Sequence, residues 1–230
     1  MNIKFINVDI NNVYEIVREN IYSCVTEPII IADTKFHHEI APIDIPKALE
    51  HGLLSIRKQI EIYEHRKATK DECNHYEHED HVNGIDGISL SNTQDDWEKM
   101  YPNESIYNTY VTYRPDIIVS QKVWSQRVAQ TYYNEFVANN RIAPEFFNSI
   151  DFRILKAIDS VYFGMTEEEK VKKILEYYKS IRDVVLTQER FGLNIPIREA
   201  SFVTCTEEEN TKAMGLDREK VKQLPILRLK

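Results

Sequence analysis

The segment over residues 36–55 constrains the fold most strongly, because it joins the polar end of a strand to a short helix that Gly52 closes. The apolar run 28–32 leads into this segment, and two histidines follow where that strand is expected to finish. Three apolar residues recur at helical spacing after them: Ile45, Ala48 and Leu49. Glycine suits a helix end because it adopts the left-handed conformation without strain on a Cβ. The segment therefore predicts a strand-to-helix unit with polar residues at the junction, as in a nucleotide pocket.

Alternating and helical patterns elsewhere predict an α+β fold. Gly87–Ser91 alternates as a short strand, and residues 106–113 alternate as another. Asp9 is placed to cap an N-terminal helix, and Thr166 with Glu169 forms a capping box for a long helix. Further strands are expected over 117–119, 195–205 and 224–229. Strands that flank helical segments favour α+β over repeated β-α-β units.

The middle of the chain is predicted to be a helical insertion over about residues 121–190. Apolar residues recur there at helical spacing, which is typical of a buried helix stripe and not of a cofactor motif. The stripes are Trp124, Val128, Tyr132 and Phe136; Phe152, Leu155, Ile158 and Tyr162; and Val171, Ile174, Leu175, Tyr178, Ile181 and Val185. Gly215 is expected to stop a later helix that begins at a capping box of Thr206 and Glu209. We predict a single domain over residues 1–230.

Composition narrows the class of protein. The 230 residues are 42% hydrophobic and 10% aromatic, which suffices for a sizeable core. Three cysteines, odd in number and far apart, argue against a disulfide framework. No run approaches the length of a membrane span and no secretion signal is recognised, so a cytoplasmic protein without a membrane partner is expected. A net charge of −8 disfavours broad phosphate binding, which makes a protein or small molecule a more natural target than bulk nucleic acid.

Residues 73–81 contain the side chains that could support a different function, the binding of a metal ion. This segment contains Cys73, His75, His78 and His81, with His65 upstream. Thiolate and imidazole suit zinc, but histidines spaced by three drift around a helix, and acidic residues lie between them. Neither a Cys-x-x-Cys pair nor a His-Glu-x-x-His pattern is present, and the common nucleotide and hydrolase signatures are absent as well. The preferred interpretation is a loop over a pocket, and no metal ligand is assigned.

The order of residues around the first histidines resembles the first motif of the ADP-ribosyltransferase-like proteins, particularly their DNA-modifying toxin and RNA 2′-phosphotransferase branches. In that motif a His at a strand end precedes a short helix ending in Gly-Leu, and counting back from Gly52 places His38 at the matching position. Gly87–Ser91 resembles the second motif, in which a hydroxyl lines the nicotinamide pocket, and Ser91 is the matching residue. The sequence departs from the family at Ile40, where a Ser or Thr is usual.

A carboxylate on a late strand is the third motif of that family, and Glu199 is the candidate for it. The residues around Glu199 are largely apolar, so a carboxylate there is expected to have either an ion-pair partner or a catalytic role. Pairing with Arg198 or another basic group is the structural alternative, and Glu189 is a second candidate carboxylate. The family's Glu-x-Glu pattern is absent, which speaks against arginine-directed transfer.

The resemblance implies an α+β fold with a split, twisted β-sheet core, a helical N-terminal element and a helical insertion. It also implies an enzyme that cleaves NAD and transfers ADP-ribose to a protein or nucleic-acid acceptor, in the setting of a toxin, an effector or a phage-conflict factor. His38 would hold a ribose hydroxyl, Ser91 would orient nicotinamide, and Glu199 would stabilise the developing positive charge.

Further cofactor-binding residues are implied with less direct support from the motifs. They are Gly52, Arg57 as a phosphate contact, and Tyr107 or Tyr110 as a ring that stacks on nicotinamide. The alternative to an enzyme is a non-catalytic nucleotide-binding or protein-interaction module with an α+β fold. Ile40 and the missing Glu-x-Glu pattern favour this alternative.

Overall fold

The structure is a computed structural model that describes residues 4–29, 36–69, 71–72, 87–91, 109–113, 124–127, 134–139, 141–152, 165–199 and 213–230. Helices and mixed sheets both contribute, so the fold class is α+β. The helices are α1 (Val13–Tyr22), α2 (Ile45–His51), α3 (Ile56–Tyr63), α4 (Glu167–Phe191) and α5 (Arg218–Lys222). The strands are β1 (Phe5–Val8), β2 (Val25–Ile29), β3 (Phe36–Ile40), β4 (Leu53–Leu54), β5 (Gly87–Ser91), β6 (Thr109–Tyr113), β7 (Trp124–Arg127), β8 (Asn134–Asn139), β9 (Arg141–Ile142), β10 (Phe147–Phe152), β11 (Ile197–Glu199), β12 (Ala213–Leu216) and β13 (Ile226–Leu229).

A nine-stranded sheet forms the centre of the described fold, in the order β2-β12-β11-β10-β6-β3-β5-β8-β7. Its pairings are antiparallel except for the pair of β10 and β11, which is parallel. Two smaller sheets accompany it, a parallel pair of β1 and β13 and an antiparallel pair of β4 and β9. The strands at Gly87–Ser91 and Thr109–Tyr113 confirm the alternation read from the sequence.

The first helix begins where the sequence predicts. The Asp9 carboxylate accepts a hydrogen bond from the backbone N–H of Asn11 at 3.0 Å, and a 3-10 turn over Ile10–Asn12 leads into α1. Three residues on one stripe of α1 are buried: Val13, Val17 and Ile21. This stripe packs α1 into the core, since a helix is stable mainly through the apolar face that it buries.

The long helix α4 supplies a large part of the core. Thr166 and Glu169 form the predicted capping box, in which each side chain bonds the backbone N–H of the other residue. The helix ends at Gly192, whose φ of 65° is the left-handed conformation of a helix terminus. The ring of Tyr177 contacts the ring of Phe152 edge to face, at 6.0 Å between centroids. Because Phe152 lies on β10, this contact packs α4 against one face of the large sheet.

Two sequence predictions of helix are wrong within the described residues. Trp124–Arg127 and Asn134–Asn139 are strands, and Gly215 lies within β12. Phe152 ends a strand, the rest of the stripe that begins with it lies outside the described residues, and the described α-helix of the predicted insertion is α4, from Glu167. A spacing of four residues returns to one face of a helix, but it also returns to one face of a strand, because four is a multiple of the strand period of two. The capping box at Thr206 and Glu209, the expected strand over 117–119 and the remainder of 195–205 after Glu199 lie outside the described residues.

In the part of the chain that the structure describes, no helix combines the length and the apolar character needed to cross a membrane.

Candidate functional site

One row of the large sheet is polar at each of six adjacent strands. Residues in register across a sheet belong to the same face, and neighbours along a strand belong to opposite faces. The row consists of Ser149 on β10, Thr112 on β6, His37 on β3, Ser91 on β5, Glu135 on β8 and Gln126 on β7. The positions of this row are therefore occupied, in sheet order, by two hydroxyl residues, a histidine, a third hydroxyl residue, a glutamate and a glutamine. We call this set the polar row.

The next row toward the ends of β10 and β11 has a different character. Ile197, Ile150, Val111 and His38 are in register on four adjacent strands, and Leu90 pairs with Phe136 beyond them. Ile150 and Ile197 are buried at 0% and 4% exposure, and this face packs on α4. At β10 and β11 the sheet thus packs buried apolar residues toward α4, and the polar row occupies positions of the opposite face.

His38 and Ser91 belong to different rows. Ser91 is in register with His37, whereas His38 is in register with Val111 and is half-buried. Since positions 37 and 38 are neighbours on one strand, positions 38 and 91 belong to opposite faces of the sheet. The structure therefore brings Ser91 together with the other histidine of the pair.

Glu199 is placed at the end of β11, in register with Phe152 and Met214. Strands β10 and β6 separate β11 from β3, so these two strands are about 14 Å apart, and position 199 lies two residues beyond the row of His38. The second candidate, Glu189, lies near the end of α4, where its carboxylate accepts a hydrogen bond from Lys222 Nζ at 2.7 Å. This contact raises the pKa of Lys222. Neither carboxylate is in the row of Ser91.

Gly52 ends α2 with a φ of 86° and a ψ of 173°, a conformation that essentially only glycine adopts. A Cβ at this position would lie 2.4 Å from the carbonyl oxygen of Ile142 on β9. Nearby, Arg141 Nε donates a hydrogen bond to the carbonyl of His51 at 2.6 Å. The close approach of β9 therefore explains the glycine, and it fixes the end of α2 against the strand that follows β8.

The remaining cofactor-binding candidates are dispersed. Arg57 is exposed in the first turn of α3, which is capped by Ser55. Tyr110 on β6 is in register with Glu39 and Asp151, one row beyond the polar row on the same face. Tyr107 lies outside the described residues.

A buried polar pair lies at one end of the polar row. Arg198 Nη2 donates a hydrogen bond to Ser149 Oγ at 2.5 Å, and the two residues are 5% and 2% exposed. Arg198 is on β11, in register with Asp151, so it lies on the face of the polar row. The hydrogen bond therefore joins β11 to β10 on the face of the polar row.

Reasoning from the sequence missed His37 and Glu135 as members of one constellation. Asn134–Asn139 does not alternate between polar and apolar residues, so no local pattern points to a strand that carries Glu135. The sequence also does not show which of the two histidines is in register with Ser91, because strand register is a long-range property. Only the assembled sheet aligns these residues.

The histidine-rich segment 73–81 lies outside the described residues, and His65 is exposed at the end of α3 with a φ of 53°. Where the structure describes the chain, no group of three metal-binding side chains is found.

Comparison of the chain with protein-family models, with curated proteins and with solved structures gave no match. The site is therefore interpreted from its own residues and register.

Proposed function

We propose that this chain is an ADP-ribosyltransferase-like enzyme that cleaves NAD at the polar row. The observation that carries the proposal is the register of His37, Ser91 and Glu135 on three adjacent strands. A histidine, a hydroxyl and a carboxylate are the three residue types that the family resemblance asks for. The register favours His37 and Glu135 for the roles that the sequence alone assigns to His38 and Glu199.

Strand spacing sets the width of the proposed site. Adjacent strands lie about 4.8 Å apart, so position 91 is about 5 Å from position 37 and position 135 is about 10 Å from it. A ligand that spans two strand spacings matches the extent of these three positions. In this arrangement His37 would hold a ribose hydroxyl, and Ser91 would orient the nicotinamide amide between the histidine and the carboxylate.

The proposed reaction needs a carboxylate beside the ribose carbon that loses nicotinamide. When the bond from that carbon to the pyridinium nitrogen breaks, its electron pair leaves with nicotinamide, and positive charge develops on the ribose. A fixed carboxylate stabilises this charge in the transition state. An oxygen or nitrogen of the acceptor then bonds to the same carbon and loses its proton, which a carboxylate can accept as a general base. Glu135 is proposed for both tasks.

A non-catalytic nucleotide-binding or protein-interaction module is the second candidate function. Ile40 is the observation that favours it, because this residue is partly buried and packs against the hydrophobic core where the family usually has a hydroxyl. An apolar residue there removes one hydrogen-bonding group from the strand that carries the histidines. Such a module would bind NAD without releasing nicotinamide.

The experiment that tests the proposal measures NAD binding by calorimetry and nicotinamide release in cell lysate. The Glu135→Gln variant is expected to bind NAD within about twofold of the wild type and to lower turnover by about a hundredfold or more, since the carboxylate acts on charge that develops only in the transition state. Glu145→Gln is the matched control, because Glu145 is an exposed glutamate in the turn Pro144–Phe146.

The Glu199→Gln variant distinguishes Glu135 from Glu199 as the carboxylate that acts in the reaction. A large loss of turnover in Glu199→Gln, with normal turnover in Glu135→Gln, would restore the assignment made from the sequence. Saturable NAD binding without nicotinamide release would support the non-catalytic module. Absence of both binding and release would defeat the enzyme and the nucleotide-binding module together.

A further inference from the structure

We infer that the outer edge of β13, the edge that faces away from β1, is a docking site for an extended segment of a partner protein in which acidic and apolar residues alternate. The segment would add a third strand to the sheet of β1 and β13. This sheet is separate from the nine-stranded sheet that carries the polar row, so the inference does not depend on the proposed reaction.

The direction of the hydrogen bonds identifies the outer edge. The Ile226 N–H donates to the carbonyl of Lys4 at 2.8 Å, so the backbone groups of position 226 point toward β1. Successive residues of a strand direct their backbone groups to opposite edges, so the N–H and C=O groups of Leu227 and Leu229 point away from β1. Among the strands that the structure describes, β13 pairs with β1 alone. Its outer edge therefore offers hydrogen-bonding groups to a further strand.

The side chains of β13 define what such a strand must offer. Leu227 packs against the hydrophobic core, whereas Leu229, on the same face, is 45% exposed. Arg228 is exposed on the opposite face, where its Cζ lies 4.1 Å from the centroid of the Phe5 ring. An added strand would therefore place alternate residues beside leucine side chains and beside a guanidinium held over an aromatic ring.

Charge favours an acidic partner over a second copy of this chain. The two strands and the residues next to them contain three cations and one acidic residue, although the whole chain has a net charge of −8: Lys4, Arg228 and Lys230, and Asp9. A carboxylate on the added strand can accept two hydrogen bonds from the Arg228 guanidinium. Pairing of β13 with the same strand of a second copy would instead bring like charges together, which is unfavourable.

The test titrates a synthetic peptide of about six alternating glutamate and valine residues, with blocked ends, into the full chain and follows binding by calorimetry. We expect saturable binding, and a peptide with lysine in place of glutamate should bind about tenfold more weakly or worse. The amides of Leu227 and Leu229 should become protected from hydrogen exchange, because they acquire partners in the added strand. The Ile226 amide, which already donates to Lys4, should change little.

Leu229→Pro tests the contribution of the main chain. Proline removes the outward N–H but no hydrogen bond between β13 and β1, so the protein should fold while peptide binding weakens about tenfold or more. Leu229→Ala is the matched control, because alanine shortens the side chain and keeps the N–H. An equal loss in the two variants would contradict strand addition. The exchange measurement on the wild type decides the same point if Leu229→Pro does not fold.

Arg228→Glu tests the contribution of charge. It should weaken binding of the glutamate peptide about tenfold and strengthen binding of the lysine peptide, because the sign of the charge beside the added strand is reversed. Arg190→Glu is the matched control, since Arg190 is also exposed and its Cζ lies 4.5 Å from the centroid of the Phe191 ring.

Three further results would overturn the inference. Absence of saturable binding by the wild type would leave Arg228 the role of a charge that guards the edge against pairing. Equal affinity for the glutamate and lysine peptides would reject the acidic partner. Light scattering that shows a dimer, dissociated by Leu229→Pro, would assign the edge to a second copy of the chain.

Discussion

Replacing Gly52 with alanine tests whether the end of α2 is held by the close approach of β9. The added Cβ would lie 2.4 Å from the carbonyl oxygen of Ile142, whereas ordinary van der Waals contact begins at 3.4 Å. The obstructing atom belongs to the backbone, so it cannot rotate away. One of the two chain segments must therefore move by about 1 Å, which disturbs the hydrogen bond from Arg141 Nε to the His51 carbonyl.

Two terms contribute to the expected loss of stability. Alanine at a φ of 86° and a ψ of 173° costs about 1–3 kcal/mol in backbone strain. Overpacking against Ile142 adds about 1–3 kcal/mol. The loss in free energy of unfolding is therefore about 4 kcal/mol, which for a chain of this length lowers Tm by about 8–16 °C.

Gly192→Ala is the matched control for this measurement. Gly192 also has a positive φ, but a Cβ added there meets no atom within 4 Å. Its substitution should cost about 1–2 kcal/mol, or about 2–8 °C in Tm, through the left-handed backbone alone. Scanning calorimetry of the two variants would refute the packing argument if both lost the same stability, because backbone strain alone would then explain Gly52.

Two further predictions concern titrating side chains. Hydrogen bonds from Arg66, and then from the backbone and side chain of Thr69, lower the pKa of Glu72 from 4.5 to about 2. The ionised carboxylate is thus favoured in the folded protein, so this contact should be intact above pH 4.5 and be lost as the pH falls toward 2. The protection of the Thr69 amide from hydrogen exchange, measured relative to its intrinsic rate at each pH, should fall over that range because this amide donates to Glu72 Oε2, and Glu72→Gln should abolish the change in protection. Burial raises the pKa of Tyr178 above 10.0, and its hydroxyl donates to the Pro225 carbonyl at 3.1 Å. The neutral phenol is favoured in the folded state. The contribution of Tyr178 to the free energy of unfolding should therefore be complete below pH 10 and decline above it. Tyr178→Phe should lower the free energy of unfolding by about 1 kcal/mol at neutral pH. Measured by urea unfolding, the stability of this variant should decline less steeply with pH above pH 10 than that of the wild type. An unchanged slope of stability against pH would contradict this account.

Local features were predictable from the sequence because neighbouring residues determine them. The capping box of Thr166 and Glu169 and the helix it starts needed only residues within one turn. The strand Gly87–Ser91 needed only its own alternation. In contrast, the spacing of Trp124 and Phe136 fits a helix and a strand equally, and only pairing with neighbouring strands decides between them.

The candidate site was less predictable than the elements that carry it. A shift of one residue in register moves a side chain to the other face of a sheet, and that shift separates His37 from His38. Similarly, Glu135 and Ser91 are far apart in sequence, and their alignment depends on the pairing of β5 with β8. The residue types of the proposed site were thus readable from the sequence, whereas their partners across the sheet were not.

The pairing of early strands with late ones has a consequence for how the protein forms in the cell. Phe5 on β1 is in register with Ile226 on β13, and β2 pairs with β12. During synthesis the strands β1 and β2 therefore emerge long before their partners, with their hydrogen-bonding edges unsatisfied. Contacts between residues so distant in sequence slow folding, because the loop entropy is lost before the contacts form. The strands β1 and β2 are thus exposed to mispairing in the nascent chain until β12 and β13 have been made.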